Sequence, residues 1–377
     1  MDLEKEVISG IVEFIDKYIQ PREKEIEVEG LFVKEILKEL GYHGFIAIPF
    51  PKEYGGLGLS FKLFIEVSRL IAKCSGTITG VIGAQVLSAF SILIGGTEEQ
   101  KEKYLGRLIK GETIGSFALT EPNAGSDPSS IETKAKKESD YYILNGTKAF
   151  TTNAGLSDIY VIMAKTDKDR GARGISAFIV ERDVEGFSVG RQENKMALPG
   201  LPNASLFLNN VKIPDNKLMG REGTGFIIAM KTLDIGRVTT GVGAVGLSER
   251  AFEEAVRYSK TRVQFDKPIS SFEMIQSYIA DMATEIEASK LLVMNAAVKK
   301  DNNDKDFSFY ASMAKYYASK TAVDVSRLAV QIFGGYGWIE DYLVARLYKE
   351  AKMYEIIEGT NEIQKLVISN HILKEVK

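Results

Sequence analysis

Glu358, Gly359, Thr360 and Asn361 form a run of residues that could carry chemistry near the carboxyl end of the chain. A glycine lets the backbone approach a ligand closely or adopt a positive φ, and Thr360 or Asn361 can cap a following helix. Glu358 would then lie on a turn between two helices, where a carboxylate can act as a fixed general base. An ordinary surface turn uses the same residue types, so this assignment depends on the rest of the chain.

Two further runs combine glycines with polar groups. Residues 119–127 contain Thr120, Gly125 and Ser126, whose hydroxyls and backbone N–H groups can hold a pyrophosphate or the polar edge of a flavin ring. Residues 331–337 contain Gly334 and Gly335, which permit close backbone approach. Taken singly, the first run also fits a Pro-Gly turn and the second fits the end of a helix.

These three runs, in this order, resemble the motifs of the acyl-CoA dehydrogenase family. The resemblance covers nearly the whole chain, from residues 51–58 through residues 96–101 to the last predicted helix. It implies an FAD-dependent enzyme that removes two hydrogens across Cα–Cβ of a short- to medium-chain acyl-CoA and gives the trans-2-enoyl-CoA. Two alternatives stay open: an enoyl-CoA reductase that runs the reverse reaction, and a non-catalytic family member that acts as a binding or structural protein.

Glu358 is the catalytic base that the resemblance implies. Some family members place this base where the chain has Gly236, and glycine cannot accept a proton. Burial beside the substrate would raise the pKa of Glu358, and hydrogen bonds to the thioester oxygen would stabilise the enolate-like charge. The sequence therefore predicts Glu358 as the residue that removes the α-proton.

The FAD contacts implied by the resemblance fall into three sets. The first lies in the β region: Phe117, Leu119, Thr120, Gly125, Ser126, Phe150 and Thr152. The second would come from a neighbouring subunit: Arg262, Gln264, Phe265, Gln331, Gly334 and Gly335. The third flanks the base: Thr360 and Glu362. A guanidinium fork at Arg262 suits a pyrophosphate, although an arginine at a helix end also interacts favourably with the helix dipole.

The substrate contacts that the resemblance implies are Ser126, Asp234, Arg237 and Gly359. Asp234 and Arg237 fit equally well as an ion pair within one helix. Residues 195–203 depart from the family pattern, in which many members have Arg, Ser and Thr at the positions of Pro199, Leu201 and Asn203. That stretch helps to form the acyl-CoA site in the family, so the departure predicts an unusual substrate or a different way of holding CoA.

Composition narrows the classes of partner. The 48 basic and 51 acidic side chains are nearly balanced, and nothing indicates the basic patch of a nucleic-acid-binding protein.

His43 and His371 are far apart in sequence and form no metal-ligand pattern. We therefore expect no bound metal, and we expect both histidines to have structural roles. The resemblance adds two expected partners: an electron-transferring flavoprotein as electron acceptor, and further copies of the chain in a homotetramer built as a dimer of dimers.

The expected location is the cytoplasm. The amino terminus lacks the features of a signal or transit peptide, and we expect no apolar stretch long enough to cross a membrane. Cys74 is the only cysteine, which excludes an intrachain disulfide and indicates a reducing compartment.

Apolar periodicity divides the chain into three regions that would position these residues. We expect an N-terminal all-α domain at residues 1–114, a middle β domain at 115–220 and a C-terminal four-helix-bundle domain at 221–377. The fold class is α+β and mostly α, and the resemblance implies a barrel-like middle domain. Asn145-Gly146 predicts a hairpin turn between two strands. Residues 241–246 match a dinucleotide-binding glycine pattern but lie in a helical stretch, which favours close helix packing instead.

Overall fold

The computed structural model describes residues 2–375, and the amino-terminal part of the protein is helical. The α-helices there are α1 (Asp2–Phe14), α2 (Val33–Tyr42), α3 (Phe61–Cys74), α4 (Gly76–Gly95) and α5 (Glu98–Ile109). Local sequence sets two of their starts. The Ser60 hydroxyl accepts from the Leu63 N–H at the start of α3, and Thr97 with Gln100 forms a capping box at the start of α5.

Helix α4 corrects the expectation about membrane-spanning stretches. Its 20 residues carry no charged side chain, so by length and composition alone the helix could cross a membrane. However, 67% of its apolar window is buried inside the protein, where it packs against α2, α3 and α5. A mostly buried core helix can reach the same length and hydrophobicity as a membrane span, and α4 is such a core helix.

The middle of the chain forms a β-sheet. Its strands are β1 (Gly115–Ala118), β2 (Lys134–Glu138), β3 (Tyr141–Thr152), β4 (Ile159–Lys165), β5 (Ile175–Glu181), β6 (Phe187–Gln192), β7 (Asn203–Pro214) and β8 (Leu218–Met219). They follow the order β6-β7-β3-β2-β4-β5-β8, and β1 pairs in parallel with β4. The ends of β1 and β3 are thereby brought to the same region of the sheet.

Side-chain alternation gives the sheet two buried faces. In β4, the odd-numbered residues 159–163 join the core shared with the helices, whereas Tyr160 and Ile162 belong to a second core. The Tyr142 ring of β3 lies 5.0 Å from the Phe178 ring of β5, although β2 and β4 separate these strands in the sheet. The sheet therefore bends over its own core, which agrees with the expected barrel-like curvature.

The Asn145-Gly146 pair does not form the predicted hairpin turn. Strand β3 continues through both residues, and the ladder with β7 shifts register there. A Cβ on Gly146 would lie 2.4 Å from the Thr133 hydroxyl oxygen, so this glycine permits close packing at a bulge. The turn between β2 and β3 lies instead at Ser139 and Asp140, where Ser139 has a φ of 52°.

Long helices form the carboxyl-terminal part. They are α6 (Gly225–Thr261), α7 (Glu273–Asp301), α8 (Phe307–Phe333), α9 (Leu343–Tyr354) and α10 (Asn361–Glu375), with the short strands β9 (Val263–Gln264) and β10 (Lys267–Pro268) after α6. Helices α6, α7 and α8 pack against one another, and α9 and α10 pack on α8. The predicted α+β, mostly α fold class is confirmed, and the residue boundaries of the domains stay predictions.

The glycine run at residues 241–246 lies in the middle of α6 and packs helices, as predicted. A Cβ on Gly243 would lie 2.8 Å from the Tyr354 ring of α9. A Cβ on Gly246 would lie 2.6 Å from the Cβ of Ala72 in α3. The glycines thus let α3 and α9 approach the backbone of α6 closely.

Candidate active site

Glu358 lies on the turn that connects α9 to α10. Its φ of 54° is in the left-handed region, which such side chains rarely adopt, and Gly359 follows at 87°. Two hydrogen bonds close the turn. The Asn361 N–H donates to the Glu355 carbonyl at 2.9 Å, and Gln364 Nε2 donates to the Gly359 carbonyl at 2.9 Å. The surrounding structure therefore holds Glu358 in a conformation that a free chain would avoid.

The carboxylate of Glu358 lies directly over helix α6. A Cβ on Gly236 would be 2.5 Å from Glu358 Oε2, so the absence of a side chain at position 236 makes room for the carboxylate. Glu358 is partly exposed as a residue, yet its Oε2 is shielded from solvent and has no hydrogen-bond partner within residues 2–375. Burial raises the pKa of Glu358 to about 7, while the charges of Arg237 and Lys315 oppose the rise. Such a carboxylate is suited to accept a proton.

Asp234 and Arg237 form an ion pair one helical turn apart on α6. Arg237 Nη1 lies 2.5 Å from Asp234 Oδ1, and the Ser308 hydroxyl donates to the same oxygen at 2.8 Å. Burial raises the pKa of Asp234, and the Arg237 charge opposes that rise. The intrahelical ion pair is therefore present. Contact of Asp234 and Arg237 with substrate stays a prediction.

Thr360 and Glu362, the third set of expected FAD contacts, begin helix α10 directly after the Glu358 turn. The Thr360 hydroxyl accepts from the Ile363 N–H at 3.4 Å, so Thr360 caps the helix as the sequence indicated. Glu362 is exposed. Both residues lie within four positions of the base, which places them at the same end of α10.

The first set of expected FAD contacts comes together where β1 and β3 end. The Ala149 N–H donates to the Thr120 carbonyl at 2.9 Å, and the Ser116 hydroxyl donates to the Thr152 carbonyl at 2.7 Å. Of the seven predicted residues, Leu119 is buried. Phe117, Thr120 and Thr152 are partly buried, and Gly125, Ser126 and Phe150 are exposed. A Cβ on Gly125 would meet nothing within 4 Å. The loop thus leaves open space and free polar groups beside an aromatic ring.

A buried ion pair, Lys148 with Glu121, fixes this loop and was not found from the sequence. Lys148 Nζ lies 2.6 Å from Glu121 Oε1 and donates to the Leu119 carbonyl at 3.1 Å. The Thr133 N–H donates to Glu121 Oε1 at 3.1 Å. Burial lowers the pKa of Lys148 to about 8, against the opposing effect of Glu121. The available signal was a lysine within a strand whose other residues are largely apolar.

Phe150 presents its ring to solvent from a strained position in β3. Its φ is 55°, its exposure is 66%, and the ladder between β3 and β7 shifts register between Lys148 and Thr151. Asn203 Nδ2 donates to the Phe150 carbonyl at 2.9 Å and lies 3.3 Å from the Thr152 hydroxyl oxygen. An exposed aromatic face beside hydroxyl groups fits a planar ring system with polar edges.

The structure explains part of the departure of residues 199–203 from the sequence pattern described above. The Leu201 side chain packs onto α4, where a Cβ on Gly80 would lie 2.9 Å from it. The Gly200 N–H donates to the Glu27 carbonyl at 3.0 Å, which ties the loop to the amino-terminal helices. Asn203 holds the backbone of Phe150, as described above. Nothing in the structure explains Pro199, which is exposed.

The second set of expected FAD contacts gathers at the distant ends of α6 and α8. The Arg262 guanidinium lies 5.6 Å from the centre of the Tyr336 ring, and Tyr258 stacks on Phe333 at 4.1 Å. The remaining residues of the set are exposed: Gln264, Phe265, Gln331, Gly334 and Gly335. Arg262 follows Gly236 by 26 positions along one helix, a distance of about 39 Å at 1.5 Å per residue. Within one chain, this set therefore does not meet the Glu358 site.

The two histidines take part in aromatic packing. His43 packs edge-on against Phe14 at 5.7 Å, and His371 stacks on Phe309 at 4.4 Å. His371 Nε2 also lies 3.4 Å from Glu375 Oε1 and 3.8 Å from Asp306 Oδ1. The aromatic contacts give both histidines a place in the packing. Asp306, His371 and Glu375 also bring three possible ligand atoms within 4.8 Å of one another, so the expected absence of a metal stays a prediction.

Comparison with known protein families identifies matches along nearly the whole chain. The N-terminal, middle and C-terminal domain models of acyl-CoA dehydrogenases match residues 2–112, 116–211 and 223–373. Together these matches account for all three regions that the fold displays.

Individual relatives and solved structures agree with the family models. The chain is 44% identical to the 3-(aryl)acrylate reductase of Clostridium sporogenes, with 96% of each chain covered. It is 44% identical to the caffeyl-CoA reductase-Etf complex subunit CarC of Acetobacterium woodii, with 93% of each covered. The structure is similar to that of butyryl-CoA dehydrogenase from Megasphaera elsdenii, with a TM-score of 0.96, 42% identity, and 99% and 98% of the two chains covered.

Proposed function

Because the chain belongs to the acyl-CoA dehydrogenase family, we propose that it dehydrogenates a short- to medium-chain acyl-CoA across Cα–Cβ and that Glu358 is the base. The observation that carries this proposal is the Glu358 carboxylate, held over Gly236 with a shielded Oε2 that finds no hydrogen-bond partner in the described part of the chain. The reaction gives the trans-2-enoyl-CoA. The α-hydrogen leaves as a proton to Glu358, and the β-hydrogen leaves with its electron pair.

The surroundings of Glu358 suit the removal of a weakly acidic proton. Desolvation makes the carboxylate a stronger base than it is in water, because burial raises its pKa to about 7. A base whose pKa is near neutral pH is ionised in a large fraction of molecules and still binds the proton well. The Glu358 backbone N–H is the proposed donor to the thioester oxygen, where it would stabilise the developing negative charge.

The enzyme is FAD-dependent, and two separate groups of residues are proposed to hold the cofactor. Phe150, Thr152 and the loop at 119–126 would hold the flavin ring, and Thr360 and Glu362 would approach it beside the base. FAD, when bound, supplies the acceptor for the hydride. Arg262 and its neighbours are about 39 Å from Gly236 along α6, so we infer that they contact an FAD held mainly by another subunit.

The proposed assembly follows from that separation. Each cofactor site needs two chains, and a homotetramer built as a dimer of dimers supplies them in pairs. Exposed aromatic side chains around the second set, Phe265 at 87% and Trp338 at 85%, are consistent with a surface that another chain covers. We further propose a cytoplasmic location, because the single cysteine, Cys74, is free.

The proposed substrate is a short- to medium-chain thioester. The similar protein from Megasphaera elsdenii is a butyryl-CoA dehydrogenase. Leu87 lies close to Gly236, with its Cδ2 3.1 Å from the Cβ position there, and would limit the depth of the pocket beside the base. An apolar pocket gains about 0.8 kcal/mol per buried methylene only while it has room.

A panel of acyl-CoA thioesters tests this assignment. The purified holoenzyme is mixed anaerobically with each thioester, and loss of the visible flavin absorption is followed with time. We expect the rate of bleaching to peak at about four to eight carbons and to fall for longer chains, because each added methylene must fit the pocket. Bleaching by long-chain thioesters alone would contradict the substrate class and leave the reaction type standing.

Reduction of an enoyl-CoA is a second candidate, supported by the relatives. Two proteins that are 44% identical to the chain are reductases, and one belongs to a complex with Etf. We propose an electron-transferring flavoprotein as the electron partner for either direction. Steady-state rates with that partner, measured from acyl-CoA and from aryl-substituted enoyl-CoA, separate the two candidates.

A further inference from the structure

Lys315 is a fully buried lysine in α8 that the proposed chemistry does not use directly. Its side chain is 0% exposed, which is rare for lysine unless its charge is satisfied by partners. Nζ donates to the Glu355 carbonyl at 3.1 Å and to Asn361 Oδ1 at 3.0 Å. Both acceptors belong to the turn that carries Glu358, and each lies three residues from it in sequence.

Two neighbouring side chains of α8 hold the turn by hydrogen bonds. Ser319, one helical turn after Lys315, also donates to Asn361 Oδ1, at 2.7 Å. The Asn361 N–H in turn donates to the Glu355 carbonyl at 2.9 Å. Lys315 therefore connects the two ends of the turn through its hydrogen bonds to Glu355 and Asn361. A lysine in this place contributes a positive charge in addition to hydrogen bonds.

We propose that Lys315 is a positioning residue for the base: its ammonium group holds the turn from Glu355 to Asn361 and favours the ionised form of Glu358. This inference rests on the proposed role of Glu358 as the base. The Lys315 ammonium binds atoms of the turn on both sides of Glu358, and its positive charge acts on the carboxylate. A neutral side chain of similar length would fill the space but would not favour the carboxylate.

The charged groups around the site agree with this assignment. Arg237 on α6 and Lys315 on α8 are the charges that lower the pKa of Glu358 against the effect of burial. The groups that face Lys315 are Glu358, Glu355, Glu362 and Arg237. Burial lowers the pKa of Lys315 to about 8, and the three carboxylates oppose that change. Lys315 thus keeps its charge at neutral pH, where Glu358 must be ionised to act.

The sign of the effect of substitution follows from these charges. Lys315→Met removes a positive charge, so the pKa of Glu358 rises and a higher pH is needed to ionise the base. The acid limb of the pH profile of kcat/KM should move upward by about one unit, which is a tenfold loss of activity on that limb. Lys315→Arg keeps the charge and should leave the acid limb near its original position, even if the altered geometry lowers kcat.

The experiment compares pH profiles of kcat/KM for FAD-loaded holoenzymes. Lys320→Met is the matched control, because Lys320 lies on the same helix, is exposed and pairs with Asp324 at 2.7 Å. We expect the acid limb to move in Lys315→Met and not in Lys320→Met. The proposal would be overturned if the parent enzyme, Lys315→Met and Lys320→Met all had the same acid limb. A lower kcat or stability in Lys315→Met alone would then show a merely structural role.

A second variant covers the case in which Lys315→Met does not fold. Asn361→Ala removes one acceptor of Lys315 but keeps the charge, so kcat/KM should fall at all pH values without movement of the acid limb. Unchanged turnover in Asn361→Ala, or a shifted acid limb, would contradict the proposal. Glu358→Gln separates this inference from the proposed function: full turnover in Glu358→Gln would reject the base itself, whatever Lys315 does.

Discussion

Gly236 decides how closely the Glu358 carboxylate approaches helix α6. We predict that Gly236→Ala lowers kcat/KM roughly tenfold, because the new Cβ would lie 2.5 Å from Oε2 and displaces the carboxylate. Thermal stability should change little, since alanine favours a helix interior over glycine by about 1 kcal/mol. Steady-state kinetics and thermal unfolding of the holoenzyme measure both effects.

Gly83→Ala is the control for this prediction. Gly83 lies in helix α4, and a Cβ there would meet nothing within 4 Å. Its substitution should leave kcat/KM unchanged. Equal kinetics for Gly236→Ala and the parent enzyme would show that the carboxylate does not need the space over position 236.

At the scale of single residues, the sequence predicted features that depend on neighbouring residues in the chain, such as turns and helix caps. Gly359 and Thr360 indicated a turn followed by a helix at Glu358, whereas its role as the base came from the family resemblance and stays a prediction. Its φ of 54° and its position over Gly236 could not be predicted, because they depend on how α6 packs against the turn between α9 and α10. The buried Lys148–Glu121 pair was missed for the same reason, since the two residues are distant in sequence and meet only in the folded sheet.

At the scale of elements, the Lys148–Glu121 pair joins β3 to the loop after β1. We predict that Lys148→Met costs about 3–5 kcal/mol of unfolding free energy, because it leaves the Glu121 carboxylate buried without its partner. The loop at residues 119–127 should loosen at the same time, so less FAD is retained on purification. Chemical denaturation of the apoprotein and the flavin content of the purified protein are the measurements.

Two comparison variants sharpen this test. Lys136→Met removes an exposed lysine of the same sheet, whose side chain is 78% accessible, and should be close to neutral. Adding Glu121→Gln to Lys148→Met removes the unpaired charge but keeps an acceptor oxygen for the Thr133 N–H, so it should recover much of the lost stability. If the double variant is no more stable than Lys148→Met, the cost does not come from an unpaired carboxylate.

The elements show which sequence patterns were reliable. Helical periodicity correctly indicated the helical regions, because this signal depends on residues within a few turns of one another. Asn145-Gly146 was misleading, because the close approach of Thr133 to Gly146 requires a glycine in a continuous strand. The expectation that no apolar stretch is long enough to cross a membrane was wrong for α4, because burial among helices favours the same apolar composition as contact with lipid.

At the scale of the whole molecule, helix α6 carries two separate groups of proposed contacts, one near Gly236 and one at Arg262. We predict that Arg262→Ala reduces FAD retention and shifts the protein toward smaller assemblies, because a ligand that spans two subunits stabilises the assembled state. Arg257→Ala is the control, as Arg257 lies on the same helix and forms ion pairs only with Glu253 and Glu254 among the described residues. Flavin content and gel-filtration volume of holo and apo forms are compared.

An unchanged flavin content and elution volume in Arg262→Ala would contradict the shared site.

The order of helical, sheet and helical regions was predictable at this scale, because the period of apolar residues changes from 3.6 to 2 and back along the chain. The separation of the two sets of expected FAD contacts was not, since it depends on the unbroken length of α6 from Gly225 to Thr261.

Glu358 is proposed to remove the proton whose loss accompanies flavin reduction. Anaerobic rapid mixing of FAD-loaded Glu358→Gln and parent enzyme with butyryl-CoA, with the visible flavin absorption followed in time, tests this role. We expect both proteins to hold FAD and bind the thioester, and the variant to bleach at least about 10²–10⁴-fold more slowly than the parent. Bleaching of the variant within about tenfold of the parent rate would contradict the claim.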